Sequence, residues 1–190
     1  MTVLHTGTHQ SAAIPKATAQ RTRKFLTCRR RSALAAVLDR HVRLVRFDPA
    51  QERRCNPDYV GDSGAHTAFA DGYPLLLIGA ASLADLNTRL TTAGRAALPM
   101  DRFRPNLVVD GLDPFEEDYV ASFSSADVDI APVKPCARCP IPAIDQATGI
   151  PGPDPLDILQ SWRGKAILDG AVCVGMNCIQ TRRWWMFYWN

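Results

Sequence analysis

The chain has 190 residues, of which 46% are apolar and 22% are charged, and its formal net charge at neutral pH is +3. This composition is typical of a soluble globular protein of one domain or slightly more, and it excludes collagen-like, coiled-coil and wholly disordered chains. The longest apolar run, residues 73–81, is about half as long as a membrane-spanning helix. The sequence therefore predicts no membrane span.

The charge is distributed unevenly along the chain. Residues 1–60 carry 12 Lys and Arg against 4 Asp and Glu, whereas residues 61–190 carry 10 against 15. The first 31 residues contain no acid, and aromatic residues are not interleaved with the bases as in single-strand binders. They also lack the apolar stretch of a secretory signal. We expect residues 1–31 to be a poorly ordered basic segment of a cytoplasmic protein that binds no nucleic acid.

The first predicted elements are a helix and a strand. Residues 32–40 have helical apolar spacing, and residues 41–48 alternate apolar and basic side chains, which is typical of a strand. Residues 49–72 are rich in Asp, Gly, Asn and Pro and are predicted to form a loop. Residues 73–78 are apolar, but their periodicity does not distinguish a buried strand from the entry to a helix.

The clearest predicted element is a helix over residues 82–94. Ser82 and Asp85 resemble a capping box at its start, three leucines form one apolar stripe, and Gly94 occupies the C′ position. This pattern predicts an amphipathic helix that packs its leucine face on the core.

Four further elements complete the prediction. Residues 104–109 and 127–133 are expected to be strands, residues 155–163 a short helix, and residues 172–174 a third strand candidate. Short strands with a few helices predict a mainly β, α+β domain.

The six cysteines form no disulfide framework, since a chain of this size without a signal sequence is expected in a reducing compartment. Cys136 and Cys139 form a C-x-x-C pair that is open to several interpretations. Together with Cys173 and Cys178 they are candidates for a structural zinc site. A thioredoxin-like redox pair is a weaker alternative, because prolines follow directly where a helix is required.

The local chemistry also favours a reactive thiolate. Lys134 and Arg138 flank the two cysteines, and adjacent positive charge stabilises a thiolate. Arg104 and Asn106 lie two residues apart on a predicted strand, so we expect both side chains on one face. A soft thiolate beside a guanidinium and an amide suits a metal that is bound through a phosphorylated organic cofactor. An ordinary surface ion pair remains the alternative for Arg104.

Four motifs follow one another in the chain: F-R-P-N at residues 103–106, E-D at 117–118, K-P-C-x-R-C at 134–139, and D-x-x-T-G at 145–149. Their order and spacing resemble the MOSC domain. The strings A-D-G-Y-P at 70–74 and A-S-L-A-D-L-N at 81–87 match as well, so the resemblance covers about residues 41–180. Molybdenum cofactor sulfurases, bacterial reductases of N-hydroxylated bases and the mitochondrial amidoxime-reducing component carry this domain.

The resemblance implies a β-barrel core that binds the molybdenum cofactor (molybdopterin). By motif position Cys139 is the molybdenum ligand and the catalytic residue, whereas Cys136 is a packed thiol that does not bind the metal. The cofactor-binding residues implied in the same way are Arg104, Asn106, Arg138, Gly72, Tyr73 and Asn177.

The sequence also departs from the family pattern. An N-terminal Lys-Ser pair is missing, and residues 181–190 form an atypical aromatic tail in place of the last barrel strands. We therefore expect a partial MOSC domain over residues 32–180, with an incomplete barrel, in a chain truncated at both ends.

The resemblance implies an oxidoreductase that reduces small N-hydroxylated compounds. The chain has no ferredoxin-type cysteine set, so the electrons are expected from a separate iron–sulfur or flavin protein. Two alternatives stay open. One is a sulfur- or cofactor-carrier module without turnover, and the other is a non-functional truncated remnant.

Overall fold

The computed structural model describes residues 3–5, 35–48, 50–125 and 128–183. The chain forms two compact units, residues 1–51 and 52–190. Apart from residues 3–5, the predicted basic segment lies outside the described residues.

In the first unit, β1 (Val3–His5) pairs antiparallel with β2 (Val42–Leu44). Residues 35–38 are helical, in line with the predicted helix over 32–40. The strand predicted over residues 41–48 is shorter than expected. Only its first part has a partner, because β1 offers three residues to pair with.

The second unit is built on a mixed sheet of six strands. They are β5 (Leu75–Gly79), β6 (Leu107–Val109), β7 (Phe123–Ser124), β8 (Val128–Ala137), β9 (Gly164–Lys165) and β10 (Ala171–Arg183). The strand order is β6–β5–β10–β8–β7, and β9 also pairs with β10. β5 and β6 pair in parallel and the other pairs are antiparallel. The sheet curls into part of a barrel, which confirms the predicted α+β class with an incomplete barrel core.

The region predicted as a loop over residues 49–72 contains short elements. A hairpin of β3 (Arg53–Arg54) and β4 (His66–Thr67) encloses α1 (Pro57–Val60). The Asn56 side chain caps α1 by accepting a hydrogen bond from the Asp58 amide. Among the described residues, no helix combines the length and the apolar composition that crossing a membrane requires.

The long helix, α2 (Ala80–Thr92), begins earlier than predicted. Gly79 is its N-cap, so the expected Ser82 capping box is wrong. The buried hydroxyl of Ser82 instead donates a hydrogen bond to the carboxylate of Glu117, at 2.6 Å. In the predicted leucine stripe, Leu86 and Leu90 are buried and Leu83 is partly buried against the same core cluster. Gly94 adopts the positive φ of 72° expected just past a helix end.

The remaining predicted elements shift their boundaries. The strand predicted at 104–109 begins only at Leu107, and the one predicted at 127–133 extends to Ala137. The helix predicted over 155–163 is a 3-10 turn (Asp157–Leu159) followed by α3 (Gln160–Arg163).

β10 is the central strand and is much longer than the predicted 172–174. It continues through Arg183, so residues 181–183 belong to the sheet, and residues 184–190 lie outside the described part of the chain. The register with β8 shifts between Cys173 and Met176, around Gly175. Gly175 has a φ of +76°, and an added Cβ would lie 2.5 Å from the carbonyl oxygen of Leu77. Only glycine fits this bulge.

Both faces of the sheet carry apolar clusters. Leu77, Met176 and Cys178 pack on one face, and Ile78 joins α2 and Phe103 on the other. Successive residues of a strand point to opposite faces, so the alternation along β5 divides the two clusters. The face with Ile78 also carries the candidate site.

Candidate functional site

The F-R-P-N segment is a turn rather than a strand. A 3-10 turn (Met100–Phe103) buries Phe103 to 1% exposure and ends at Arg104, which adopts the left-handed conformation with a φ of 54°. The backbone N–H of Arg104 donates to the carbonyl of Asp101. The expectation that Arg104 and Asn106 share a strand face is therefore wrong. Arg104 is nevertheless exposed at this edge of the sheet.

Asn106 makes two hydrogen bonds to the backbone of Leu76, as a paired strand residue would, but one of them comes from its side chain. Its backbone N–H donates to the carbonyl of Leu76 at 2.8 Å, and its Oδ1 accepts from the Leu76 N–H at 2.8 Å. Both polar groups of Leu76 are thus satisfied at the point where β6 has not yet begun. The Nδ2 of Asn106 has no hydrogen-bond partner among the described residues, and the residue is exposed.

A row of residues crosses the sheet at this level, and we call it the polar row. Leu76 on β5 pairs with Asn177 on β10, and Asn177 pairs with Lys134 on β8. Asn106 stands beside Leu76, so the polar row runs Asn106, Leu76, Asn177, Lys134. Directly opposed residues point to the same face of a sheet. Two of the predicted cofactor-binding residues, Asn106 and Asn177, thus lie in one row across the sheet, and the strand spacing puts their backbones about 10 Å apart.

The C-x-x-C pair lies at the end of β8, next to the F-R-P-N turn. Arg138 connects the two, because its Nη2 donates to the carbonyl of Phe103 at 2.8 Å and its backbone N–H donates to the carbonyl of Val172 at 3.0 Å. Its Nη1 donates to the Cys136 thiol at 3.4 Å, and its buried Nε has no partner in the described structure. The guanidinium thus contacts Cys136 rather than Cys139.

The two thiols differ in access. Cys139 lies two residues beyond the end of β8 and is exposed, whereas Cys136 is half-buried. The ammonium of Lys134 lies 4.6 Å from the ring centroid of Tyr59, so this charge stacks on an aromatic ring instead of flanking the thiols as predicted. Among the cysteines in the described residues, Cys139 is the one that an external group reaches most easily.

Tyr73 is a buried member of the same face. It is 9% exposed and packs with Cys55 and Ile179, and Ile179 lies two residues beyond Asn177 on β10. Its hydroxyl is buried without a hydrogen-bond partner among the described residues. Burial, with a smaller contribution from the neighbouring Cys55, raises the pKa of this phenol. Gly72, the residue before it, has open space around the position of a Cβ.

Sequence reasoning missed Arg53, which holds the loop that leads to Gly72. Its guanidinium donates to the backbone carbonyls of Ala68, Ala70 and Asp71. Nothing in the sequence distinguishes this arginine from its basic neighbours, because its partners are carbonyl groups that any residue supplies.

The alternative readings of the cysteines find no support in the described structure. The described residues contain no group of three or more His, Cys, Asp or Glu side chains that could hold a metal, so a zinc site there is not formed. The chain after Cys139 enters a 3-10 turn (Ile141–Ala143) rather than the helix of a thioredoxin-like motif. Cys173 and Cys178 are buried in β10, where desolvation raises both thiol pKa values, that of Cys178 to about 12.

The E-D motif has a structural role. Glu117 is fully buried, and its carboxylate accepts from the Gly79 N–H at 3.1 Å and from the Ser82 hydroxyl at 2.6 Å. Asp118 accepts two hydrogen bonds from Arg163, at 2.9 and 3.1 Å, and pairs with Lys165 at 3.0 Å. The protein itself therefore satisfies the carboxylate oxygens of both residues.

Comparisons with known proteins agree with the motif resemblance. The MOSC domain profile matches residues 64–182. Human mitochondrial amidoxime reducing component 2 is 38% identical over 124 residues, which are 64% of this chain and 36% of the relative. The zebrafish (Danio rerio) amidoxime-reducing component 1 is 30% identical over 66% of this chain and 38% of its own length. A rice (Oryza sativa subsp. japonica) molybdenum cofactor sulfurase is 32% identical over 64% of this chain and 16% of its own length. The chain therefore spans little more than a third of the mitochondrial relatives that it matches.

Proposed function

Because this chain belongs to the MOSC domain family, we propose that it binds the molybdenum cofactor and that Cys139 is the protein ligand to the metal. The observation that carries this proposal is the exposed thiol of Cys139 beside the F-R-P-N turn and the polar row. In the described residues it is the only exposed cysteine.

The residues present fit this cofactor. A metal that arrives on an organic dithiolene needs one soft protein ligand, and a closed cluster of three or four is the mark of a structural metal site. Cys139 supplies one thiol, and the described residues contain no larger cluster that would compete for the metal. The Arg138 Nε and the Tyr73 hydroxyl are buried without partners. Polar groups of this kind are costly to bury unless a ligand or water satisfies them.

The other candidate residues would hold the organic part of the cofactor. The Arg104 guanidinium is a planar donor suited to a phosphate, and the Nδ2 of Asn106 is a donor suited to a heterocycle. Asn177 would contribute an amide from the same polar row, and Arg138, Gly72 and Tyr73 would line its two sides. When bound, the cofactor supplies oxygen-atom and two-electron chemistry that no protein side chain offers.

We propose that the complete activity is the reduction of small N-hydroxylated compounds. Breaking the N–O bond of such a compound consumes two electrons and two protons and releases water and the amine. A separate iron–sulfur or flavin protein would supply the electrons, since the described residues include no cysteine cluster for an iron–sulfur centre. The relatives named amidoxime reducing components support this reaction class. The cytoplasmic location expected from the sequence stays a prediction.

A second candidate function is a carrier module that hands on sulfur or cofactor without turnover. The rice relative is named a molybdenum cofactor sulfurase, and an exposed cysteine suits a transferable sulfur atom. The third alternative, that this chain is a non-functional truncated remnant, stays a prediction as well.

The deciding experiment is metal and pterin analysis of the purified chain and two cysteine variants. Cys139→Ser is expected to lose the molybdenum, whereas Cys136→Ser, whose thiol is half-buried against Arg138, is expected to keep most of it. Pterin release, read by fluorescence after oxidation, should follow the metal. Equal molybdenum in both variants, or zinc in its place, would contradict the assignment. Turnover of an N-hydroxylated base with a donor system then separates the reductase from the carrier.

A further inference from the structure

The D-x-x-T-G motif contacts the turn that carries Arg104. Arg102 donates from its Nη2 to Asp145 Oδ2 at 2.5 Å, and from its Nη1 to the carbonyl of Pro142 at 3.5 Å. The Arg102 side chain is 14% exposed and that of Asp145 is 37% exposed. The ion pair therefore lies partly shielded between two segments that are 43 residues apart in the chain.

These contacts flank the exposed thiol on both sides. Before Cys139, Arg138 donates to the carbonyl of Phe103, and after it Pro142 and Asp145 hold Arg102. All three connections end on the same 3-10 turn (Met100–Phe103), which leads directly into Arg104. The thiol and the guanidinium are thus carried by two segments that are joined at both ends of the Cys139 loop.

We propose that the Arg102–Asp145 ion pair is a clamp that sets the position of Cys139 relative to Arg104. The clamp is a positioning device and touches no reacting atom. Its purpose rests on the proposed function, because the thiol and the guanidinium would bind two ends of one cofactor. A rigid ligand that is held at two points loses affinity when the spacing of those points fluctuates.

The two oxygens of Asp145 have separate tasks, which makes the clamp testable. Oδ1 accepts from the Ala147 N–H, the Thr148 N–H and the Thr148 hydroxyl, at 2.9 to 3.0 Å. Oδ2 alone faces Arg102. Asp145→Asn keeps an oxygen for the local turn but places an amide N–H₂ against the guanidinium. This substitution therefore opens the clamp and spares the turn.

Hydrogen–deuterium exchange of the 190-residue chain without added cofactor is the primary readout. Two pairs of hydrogen-bonded amides report on the two segments, those of Arg102 and Arg104 on one side and Ala143 and Ile144 on the other. We expect Asp145→Asn to speed exchange about three- to tenfold in both segments. Arg102→Gln should produce the same pattern. The double variant should add little to either, because both substitutions remove one interaction.

A matched control is Asp85→Asn, which breaks another short ion pair, with Arg89 at 2.6 Å, on the surface of α2. It should leave exchange in both segments unchanged. Faster exchange confined to residues 145–149, or additive effects in the double variant, would overturn the clamp and assign Asp145 to its own turn alone.

Molybdenum and pterin content forms the second readout. If the clamp positions the ligands, Asp145→Asn should retain several times less cofactor than the parent while its thermal unfolding midpoint stays close to that of the Asp85→Asn control. If Asp145→Asn speeds exchange in both segments but the parent chain contains no molybdenum, the clamp is kept and the proposed function is refuted. A molybdenum-loaded parent whose Asp145→Asn variant shows unchanged exchange would refute the clamp and keep the function.

Discussion

Two polar regions of this protein use similar residues in opposite ways. The buried network of Glu117, Asp118 and Arg163 is closed, and every carboxylate oxygen in it has a partner. The open site around Arg104 and Cys139 exposes a guanidinium and a thiol to solvent.

The closed network ties distant elements together. Asp118 and Arg163 have side chains that are 3% and 4% exposed, and Arg163 also donates from its Nε to the carbonyl of Cys173 on β10. Its guanidinium lies 4.4 Å from the ring centroid of Phe115. Buried charges are tolerated only when they are paired and hydrogen-bonded in this way.

The open site is built on the same principle but left incomplete. Arg138 donates to the backbone carbonyl of Phe103, and Asn106 accepts from the backbone N–H of Leu76. These hydrogen bonds fix the positions of the two side chains. The Arg138 Nε, the Asn106 Nδ2 and the side chains of Arg104 and Cys139 have no hydrogen-bond partner among the described residues, and these are the groups that we propose bind the cofactor. The structural network and the candidate binding site therefore differ in how far their polar groups are saturated with hydrogen bonds, rather than in the types of polar group they contain.

The largest expected effect comes from breaking the closed network. Asp118→Ala leaves the Arg163 guanidinium buried without its carboxylate, which should cost about 3–5 kcal/mol of unfolding free energy. Urea unfolding followed by circular dichroism measures the change. Asp157→Ala is the matched control, because it removes an ion pair with Arg95 whose carboxylate is 61% exposed, and it should cost about 0–1 kcal/mol. Equal losses in the two variants would show that the network is not structural.

Substitutions in the open site should weaken cofactor binding rather than lower the free energy of unfolding. Arg104→Ala is expected to lower cofactor retention about ten- to a hundredfold, the equivalent of one charge-assisted hydrogen bond. Its unfolding free energy should stay within about 0.5 kcal/mol of the parent, because the side chain is exposed. Molybdenum content after dialysis measures the first quantity and urea unfolding the second. Arg54→Ala, at an exposed arginine that pairs with Glu52, is the control and should retain the cofactor. Undiminished retention in Arg104→Ala would remove this residue from the site.

Two glycines provide a smaller test of the same contrast. A Cβ at Gly79 would lie 2.8 Å from Glu117 Oε2 and 2.9 Å from the Ser82 hydroxyl, so Gly79→Ala should cost about 1–3 kcal/mol by overpacking. Gly72, beside the open site, has nothing within 4 Å of the same position. Gly72→Ala should therefore leave the thermal unfolding midpoint almost unchanged. A similar shift in both variants would argue against the close packing of the network.

The smallest effect at neutral pH concerns the buried thiols. Burial raises the pKa of Cys178 from about 9 to about 12, so the folded state holds this proton more tightly than the unfolded state does. Stability from this source is fully present below about pH 9 and is lost as the pH rises towards 12. The free energy of unfolding of the parent should fall more steeply over this range than that of Cys178→Ala, by at most about 1.4 kcal/mol per pH unit. If the two pH profiles are parallel, the pKa of the Cys178 thiol is not raised in the folded state.

Much of the outline of this protein follows from local sequence patterns. The leucine stripe of α2, the positive φ of Gly94 and the α+β class were all predictable, because periodicity and turn chemistry act between near neighbours. The order of the F-R-P-N, C-x-x-C and D-x-x-T-G motifs was enough to indicate the family. Two predictions from local patterns were wrong, namely the strand assigned to Arg104 and the capping role of Ser82.

Those failures have a common physical cause, since each is decided by a partner far away in the chain. Ser82 turns inward because the Glu117 carboxylate, 35 residues later, accepts its hydroxyl. Arg104 leaves the strand because the turn before it is anchored by Phe103 in the core. The sequence alone indicated which residues are candidates for a cofactor site. Only tertiary packing decided that Glu117 and Asp118 are satisfied within the protein while Arg104, Asn106 and Cys139 face outward, since burial and hydrogen-bond saturation depend on contacts that no local pattern encodes.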